Sequence, residues 1–150
     1  AGLRIGYAAA QLTLAAQIDS LRPHYNTSST AQAAALACLA DDEHIGRSLS
    51  LNRTGLAALS RGCADLGLAQ VPSEANFLLV RTGNADDITA AMQAWGVLVK
   101  SGTPFGLPDH IRISVGTAAG IARCLKTLRA VMDDYRSNHS INSRQGAQTW

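Results

Sequence analysis

Lysine is nearly missing from this sequence: of its thirteen cationic side chains only Lys100 and Lys126 are lysines, and the rest are arginines. Lys126 directly follows Leu125, an apolar position of an amphipathic pattern, and reads as a solvated surface charge rather than an imine former. Cysteine is scarce too. Cys38, Cys63 and Cys124 are far apart and odd in number, which excludes a disulfide framework or zinc knuckle and suits reduced thiols packed as small apolar groups in helices. The four histidines lack metal-ligand spacing, so no metal site is expected. Long apolar runs are absent as well: stretches such as Ala33 to Ala40 fall short of the ~20 residues that span a bilayer, and no basic, apolar and small-residue leader opens the chain. A soluble, cytoplasmic protein is expected. The net charge is only +2 and the arginines are scattered, so no stripe suited to nucleic acid or an anionic membrane is present. No Ser-His-Asp or Cys-His grouping can be argued from spacing, and no glycine-rich phosphate loop leads into a helix.

What is present is an alternation of short strands and helices. A chain of 150 residues fits about one domain and can bury roughly 70 % of its unfolded surface. Leu3 to Ala10 reads as a buried strand, flanked and relieved by Gly2 and Gly6, and Thr13 to Leu21 as a helix halted by Pro23. Ser29 with Gln32 makes a capping box opening an alanine-rich helix to about Leu39. Asp41, Asp42 and Glu43 then precede one long amphipathic helix carrying Ile45, Leu49, Leu56, Leu59, Cys63 and Leu66, with Gly67 placed to end it. An organisational break is expected within it, near residue 50.

Ala75 to Arg81 reads as a strand. Asn84, Asp86 and Asp87 open a helix with Ile88, Met92 and Trp95 on one face, closed by Gly96, and Val97 to Lys100 reads as a short strand. The loop from Ser101 to Asp109 holds two prolines and two glycines. His110 to Val115 alternates strictly, which puts Ile111, Ile113 and Val115 on one face and Arg112 on the other. A last helix runs from Thr117 to about Tyr135, and the polar tail from Ser137 reads as disordered.

Arginines are the remaining candidates for chemistry. Arg4, inside an apolar glycine-flanked strand, is either an anion ligand with a two-oxygen fork or one half of a salt bridge at a strand end. Arg112 is either a solvated charge on a sheet face or the wall of an anion site. Arg81 reads as a surface or interdomain charge, and Asn76 as a turn cap or a functional amide.

Four segments, in order, carry a resemblance. Ala1-Gly2-Leu3-Arg4-Ile5-Gly6-Tyr7 is similar to the stretch just after the cofactor lysine in fold-type I pyridoxal-phosphate (PLP) aminotransferases. Arg22-Pro23-His24-Tyr25-Asn26 with Ser29 to Ala34, then Pro72-Ser73-Glu74-Ala75-Asn76-Phe77, then Gly106-Leu107-Pro108-Asp109-His110-Ile111-Arg112-Ile113-Ser114-Val115-Gly116-Thr117 resemble motifs of the histidinol-phosphate aminotransferase family. The match runs from residue 1 to about residue 132.

The resemblance implies an α/β fold, the C-terminal part of a PLP-dependent transferase. Residues 1–50 would be a remnant of the large PLP-binding domain, followed by a long interdomain helix and a small α/β domain over 51–136; the tail over 137–150, read as disordered from its polar composition, lies outside the resemblance. It implies that Arg4 holds the cofactor phosphate and that Arg112 grips an anionic group of the substrate. At Lys100 the family often has an arginine for a second anionic group, and lysine keeps the charge but loses the fork. The Schiff-base lysine would lie a few residues before Ala1, so this chain would carry no catalytic residue of its own. The implied activity is amino transfer between histidinol phosphate and 2-oxoglutarate in histidine biosynthesis by a homodimer. The alternatives are an aromatic-amino-acid transaminase, a phosphothreonine decarboxylase, or a non-catalytic binding or dimerisation module.

Overall fold

The computed structural model describes residues 2–145, with side chains through residue 138. The chain divides into two compact units, Ala1–Leu49 and Ser50–Trp150.

In the first unit, α1 (Leu12–Ser20) and α2 (Ser29–Leu39) precede the opening turns of α3 (Asp42–Asp65). The cap of α2 is Ser28, whose hydroxyl accepts the Ala31 N–H at 3.2 Å. Gln32 reaches the Thr27 hydroxyl at 3.0 Å, so the expected Ser29 box is displaced by one residue. Asp41 caps α3 by accepting the His44 N–H at 2.9 Å, and Asp42 and Glu43 lie in the helix's positively polarised first turn. The strand expected over Leu3 to Ala10 does not form. Arg4 takes a left-handed φ of 55°, which breaks an extended backbone, and no described strand lies alongside to satisfy the ladder. Among the described residues of this unit only Ala31 is buried.

The second unit has the core. Its four-stranded antiparallel sheet runs in the order β1-β2-β4-β3, from β1 (Gln70–Val71), β2 (Phe77–Arg81), β3 (Lys100–Ser101) and β4 (His110–Ser114). Both β2 and β3 pair antiparallel with β4, so the connection through α4 (Ala85–Ala94) is a crossover between parallel strands. Period-two alternation turns Leu78, Val80, Ile111 and Ile113 to one face. There they join Leu59 and Cys63 of α3, Ile88 and Met92 of α4, and Ile121, Cys124, Leu128, Val131 and Met132 of α5 (Ala118–Gln145) in one buried cluster.

Both glycine stops form as the pattern predicts. At Gly67 (φ 68°) the Leu68 N–H returns to the Cys63 carbonyl at 3.0 Å, and at Gly96 (φ 71°) the Val97 N–H returns to the Met92 carbonyl at 3.0 Å. Three expectations are corrected. Trp95 sits past the last turn of α4 as its C-cap and is 64 % exposed, because the chain has begun its turn at Gly96. The edge strand is Lys100–Ser101 instead of Val97 to Lys100. And α5 continues to Gln145 beyond Tyr135, since no glycine or proline interrupts it there. Residues 146–150, part of the tail expected to be disordered, lie outside the described residues. Cys63 and Cys124 are buried as expected, but Cys38 is exposed. Burial pushes the Cys63 thiol up to about 11, aided by Cys124. No described helix is long and apolar enough to cross a membrane.

Candidate functional site

The face of the sheet opposite the core carries the cations. In register, Leu79 stands opposite Arg112, and Arg112 opposite Lys100, so the two basic side chains share a row on neighbouring strands. Both are exposed. Among the described residues neither has an ion-pair partner, since the acidic groups of this region are engaged elsewhere. Like charges directly opposite each other are unfavourable unless an anion lies between them. The Arg112 guanidinium carbon sits 5.1 Å from the centre of the Phe77 ring, one step diagonally along the same face.

Loops at both ends of these strands are tied down. On the side of β2, the Ser73 hydroxyl donates to the Phe77 carbonyl at 2.6 Å and accepts the Ala75 N–H at 3.1 Å. Asn52 of α3 donates to the Ala75 carbonyl at 3.1 Å, and the Val115 N–H donates to the Asn76 carbonyl at 2.8 Å. The Pro-Ser-x-Ala-Asn-Phe run therefore works as a fixed turn that launches Phe77. On the side of β3, the Asp86 carboxylate accepts from Ser101 at 2.6 Å and Thr103 at 3.0 Å. Gly102 is buried, and its N–H donates to the His110 carbonyl at 2.8 Å. A Cβ there would lie 2.4 Å from the Leu107 oxygen and 2.6 Å from the His110 oxygen, so no other residue fits without moving backbone.

Asp109 joins the loop to β2: its carboxylate accepts from Arg81 at 2.8 Å and pairs with His110 at 2.5 Å. Desolvation acts to raise this carboxyl, but the hydrogen bonds from His110 and Arg81 outweigh it and hold the group below its ordinary range. Arg81 is thus a loop anchor, and His110 is half-buried beside it.

Arg4, in the first unit, is exposed and has no partner among the described residues. Its left-handed backbone is uncommon for a residue with a long side chain, and a Cβ at Gly2 or Gly6 would meet nothing within 4 Å. Such an exposed guanidinium is chemically able to receive a two-oxygen anion.

The structure therefore brings Arg112 and Lys100 together and describes Arg4 separately. The contributions of Phe77, Asp86 and Gly102 were not evident in the sequence. Asp86 read only as a helix-start charge, although its spacing to Ser101 and Thr103 across a short strand was the available signal.

The fold of this chain matches part of solved aminotransferases. The histidinol-phosphate aminotransferase of Sinorhizobium meliloti, crystallised in complex with pyridoxal-5'-phosphate, aligns with a TM-score of 0.67 at 28 % identity over 82 % of this chain and 35 % of its own. A Thermus thermophilus aspartate aminotransferase tetra mutant aligns at 0.64 and 25 % identity over 79 % of this chain and 36 % of its own. The fold is thus α/β and of the aminotransferase kind.

In sequence, the profile described as Aminotransferase class I and II matches residues 1–128, and the chain belongs to that family. It is 39 % identical over 132 residues to the histidinol-phosphate aminotransferase of Akkermansia muciniphila, and 42 % identical over 136 residues to histidinol-phosphate aminotransferase 2 of Ralstonia nicotianae. In each case 88 % of this chain aligns, and it spans 36 % of the relative's length.

Proposed function

We propose that these residues form the C-terminal third of a homodimeric, PLP-dependent transaminase that moves an amino group from histidinol phosphate to 2-oxoglutarate. The observation that carries this reading is the Arg112–Lys100 row on the open sheet face, without an ion-pair partner among the described residues, within a chain that resembles histidinol-phosphate aminotransferases along most of its length. Two adjacent cations suit a phosphate dianion in one half-reaction and the carboxylates of 2-oxoglutarate in the other. The cofactor, when bound, supplies the carbonyl that carries the amino group and a ring that takes up electron density from the substrate.

This chain's own residues do the holding. Arg4 binds the cofactor phosphate. Arg112 orients the substrate anion by a two-oxygen contact, and Lys100 adds a point charge for the second anionic group. Neither Lys100, on the edge strand, nor Lys126, exposed on α5, is assigned a covalent role.

The test is turnover by the full-length protein containing these residues, loaded with PLP, with 2-oxoglutarate as acceptor. Preference for histidinol phosphate over phenylalanine and tyrosine is expected. The reverse preference would make it an aromatic-amino-acid transaminase, and carbon dioxide release from phosphothreonine a decarboxylase. No turnover with any of them would leave a binding or dimerisation module.

A further inference from the structure

We propose that Phe77 is a positioning residue that holds the Arg112 guanidinium in the pose that receives substrate anions; this rests on the reading of Arg112 given above. An arginine side chain is long and loses substantial rotamer freedom when it is fixed. On the open sheet face nothing else among the described residues fixes Arg112: it has no carboxylate partner, its neighbour across β3 is another cation, and its neighbour across β2 is Leu79. The Phe77 ring, 5.1 Å away, lies within the ~6 Å over which a ring face attracts a cation.

Chemistry favours a ring in this place. A carboxylate there would neutralise Arg112 and occupy the N–H donors that an incoming anion needs. An aromatic ring attracts the cation through its quadrupole and takes none of the strong N–H···O hydrogen bonds. The platform is also firm. Phe77 is half-buried and paired in register with Ser114, and its carbonyl is held by Ser73.

The experiment uses the full-length, PLP-loaded enzyme with histidinol phosphate and 2-oxoglutarate. Phe77→Leu, which keeps apolar bulk but removes the ring, is expected to raise KM for both substrates about two- to fivefold while leaving kcat nearly unchanged. Phe77→Tyr and Phe77→Trp should restore KM, because each keeps a ring face. In an Arg112→Ala background Phe77→Leu should add nothing further, as the ring then has no cation to hold. Should Phe77→Leu fail to fold, Phe77→Met carries the same expectation.

The proposal is overturned if Arg112→Ala raises KM while Phe77→Leu leaves it unchanged, or if Phe77→Leu is equally damaging without Arg112. If Arg112→Ala itself leaves KM unchanged, the reading of Arg112 as an anion site has failed, and the role of Phe77 falls with it.

Discussion

Arg112 and Arg4 are both exposed and have no ion-pair partner among the described residues, yet they are presented by different backbones. Arg112 projects from a strand whose register is fixed on both sides, whereas Arg4 sits at a left-handed turn position. In the full-length enzyme Arg4→Ala should weaken PLP retention by about ten- to a hundredfold, the value of one charge-assisted, two-oxygen contact of ~1.5–3 kcal/mol. Substrate KM measured at saturating cofactor should stay near normal. Arg112→Ala should do the reverse, leaving cofactor content intact and raising KM for donor and acceptor alike. Normal cofactor retention after Arg4→Ala would remove Arg4 from the site. At this scale the sequence was half legible. Strict alternation from His110 to Val115 was enough to turn Arg112 away from the core, but nothing in the one-dimensional pattern reported the backbone of Arg4, because an apolar segment bounded by glycines suits a strand and a turn equally. Lys100 became meaningful only through pairing, since a register between non-adjacent segments has no local signature.

Among the elements, the loop between β3 and β4 is tied to Asp86 at one end and to Arg81 at the other, and two of its residues lend themselves to measurement. Gly102→Ala should destabilise the fold by ~1–3 kcal/mol, read as a drop in urea midpoint, because the new methyl meets two backbone oxygens that are themselves engaged in hydrogen bonds, Leu107's with the His110 N–H and His110's with the Gly102 N–H. Gly62→Ala on α3 is the control. There the methyl would meet the end of the Leu125 side chain at 2.3 Å, which can rotate aside, and the helix gains propensity of ~1 kcal/mol; its midpoint should move less. Asp109 gives the loop a pH dependence. Its carboxyl lies below its ordinary value in the folded protein, so its stabilising contribution is complete above the unfolded value near ~3.9 and is lost as pH falls through the lowered folded value. Asp109→Asn should flatten that acid limb of the stability profile, and an unchanged acid limb would show that the Arg81 and His110 pairs contribute nothing. The helices with glycine stops were legible in the sequence because each stop is local. The missing strand at Leu3 to Ala10 and the extension of α5 to Gln145 were not: a strand needs a partner that its own residues do not name, and a polar helix without breakers looks like a disordered tail.

At the scale of the whole molecule, burial is unevenly divided between the two units. Along α3 a single apolar stripe changes character: Ile45 and Leu49 are exposed, whereas Leu59 and Cys63 are buried in the second unit's core. The first unit also exposes Leu12 and Leu36, and among its described residues only Ala31 is buried. Such a surface is costly in water and invites association. In the proposed full-length transaminase the remainder of the protein would cover it. Two expectations follow for separately produced pieces. Residues 50–145, which contain the sheet and its helical cover, should be monomeric by light scattering and should unfold in one cooperative transition. Residues 1–150 should self-associate, with a mass that rises with concentration, and amides 3–10 should exchange rapidly because they have no strand partner among the described residues. A monodisperse 150-residue monomer with strongly protected amides at residues 3–10 would contradict this division. It would mean that the first unit builds a core of its own, and that its exposed leucines are ordinary surface residues instead of a surface that the rest of the protein covers.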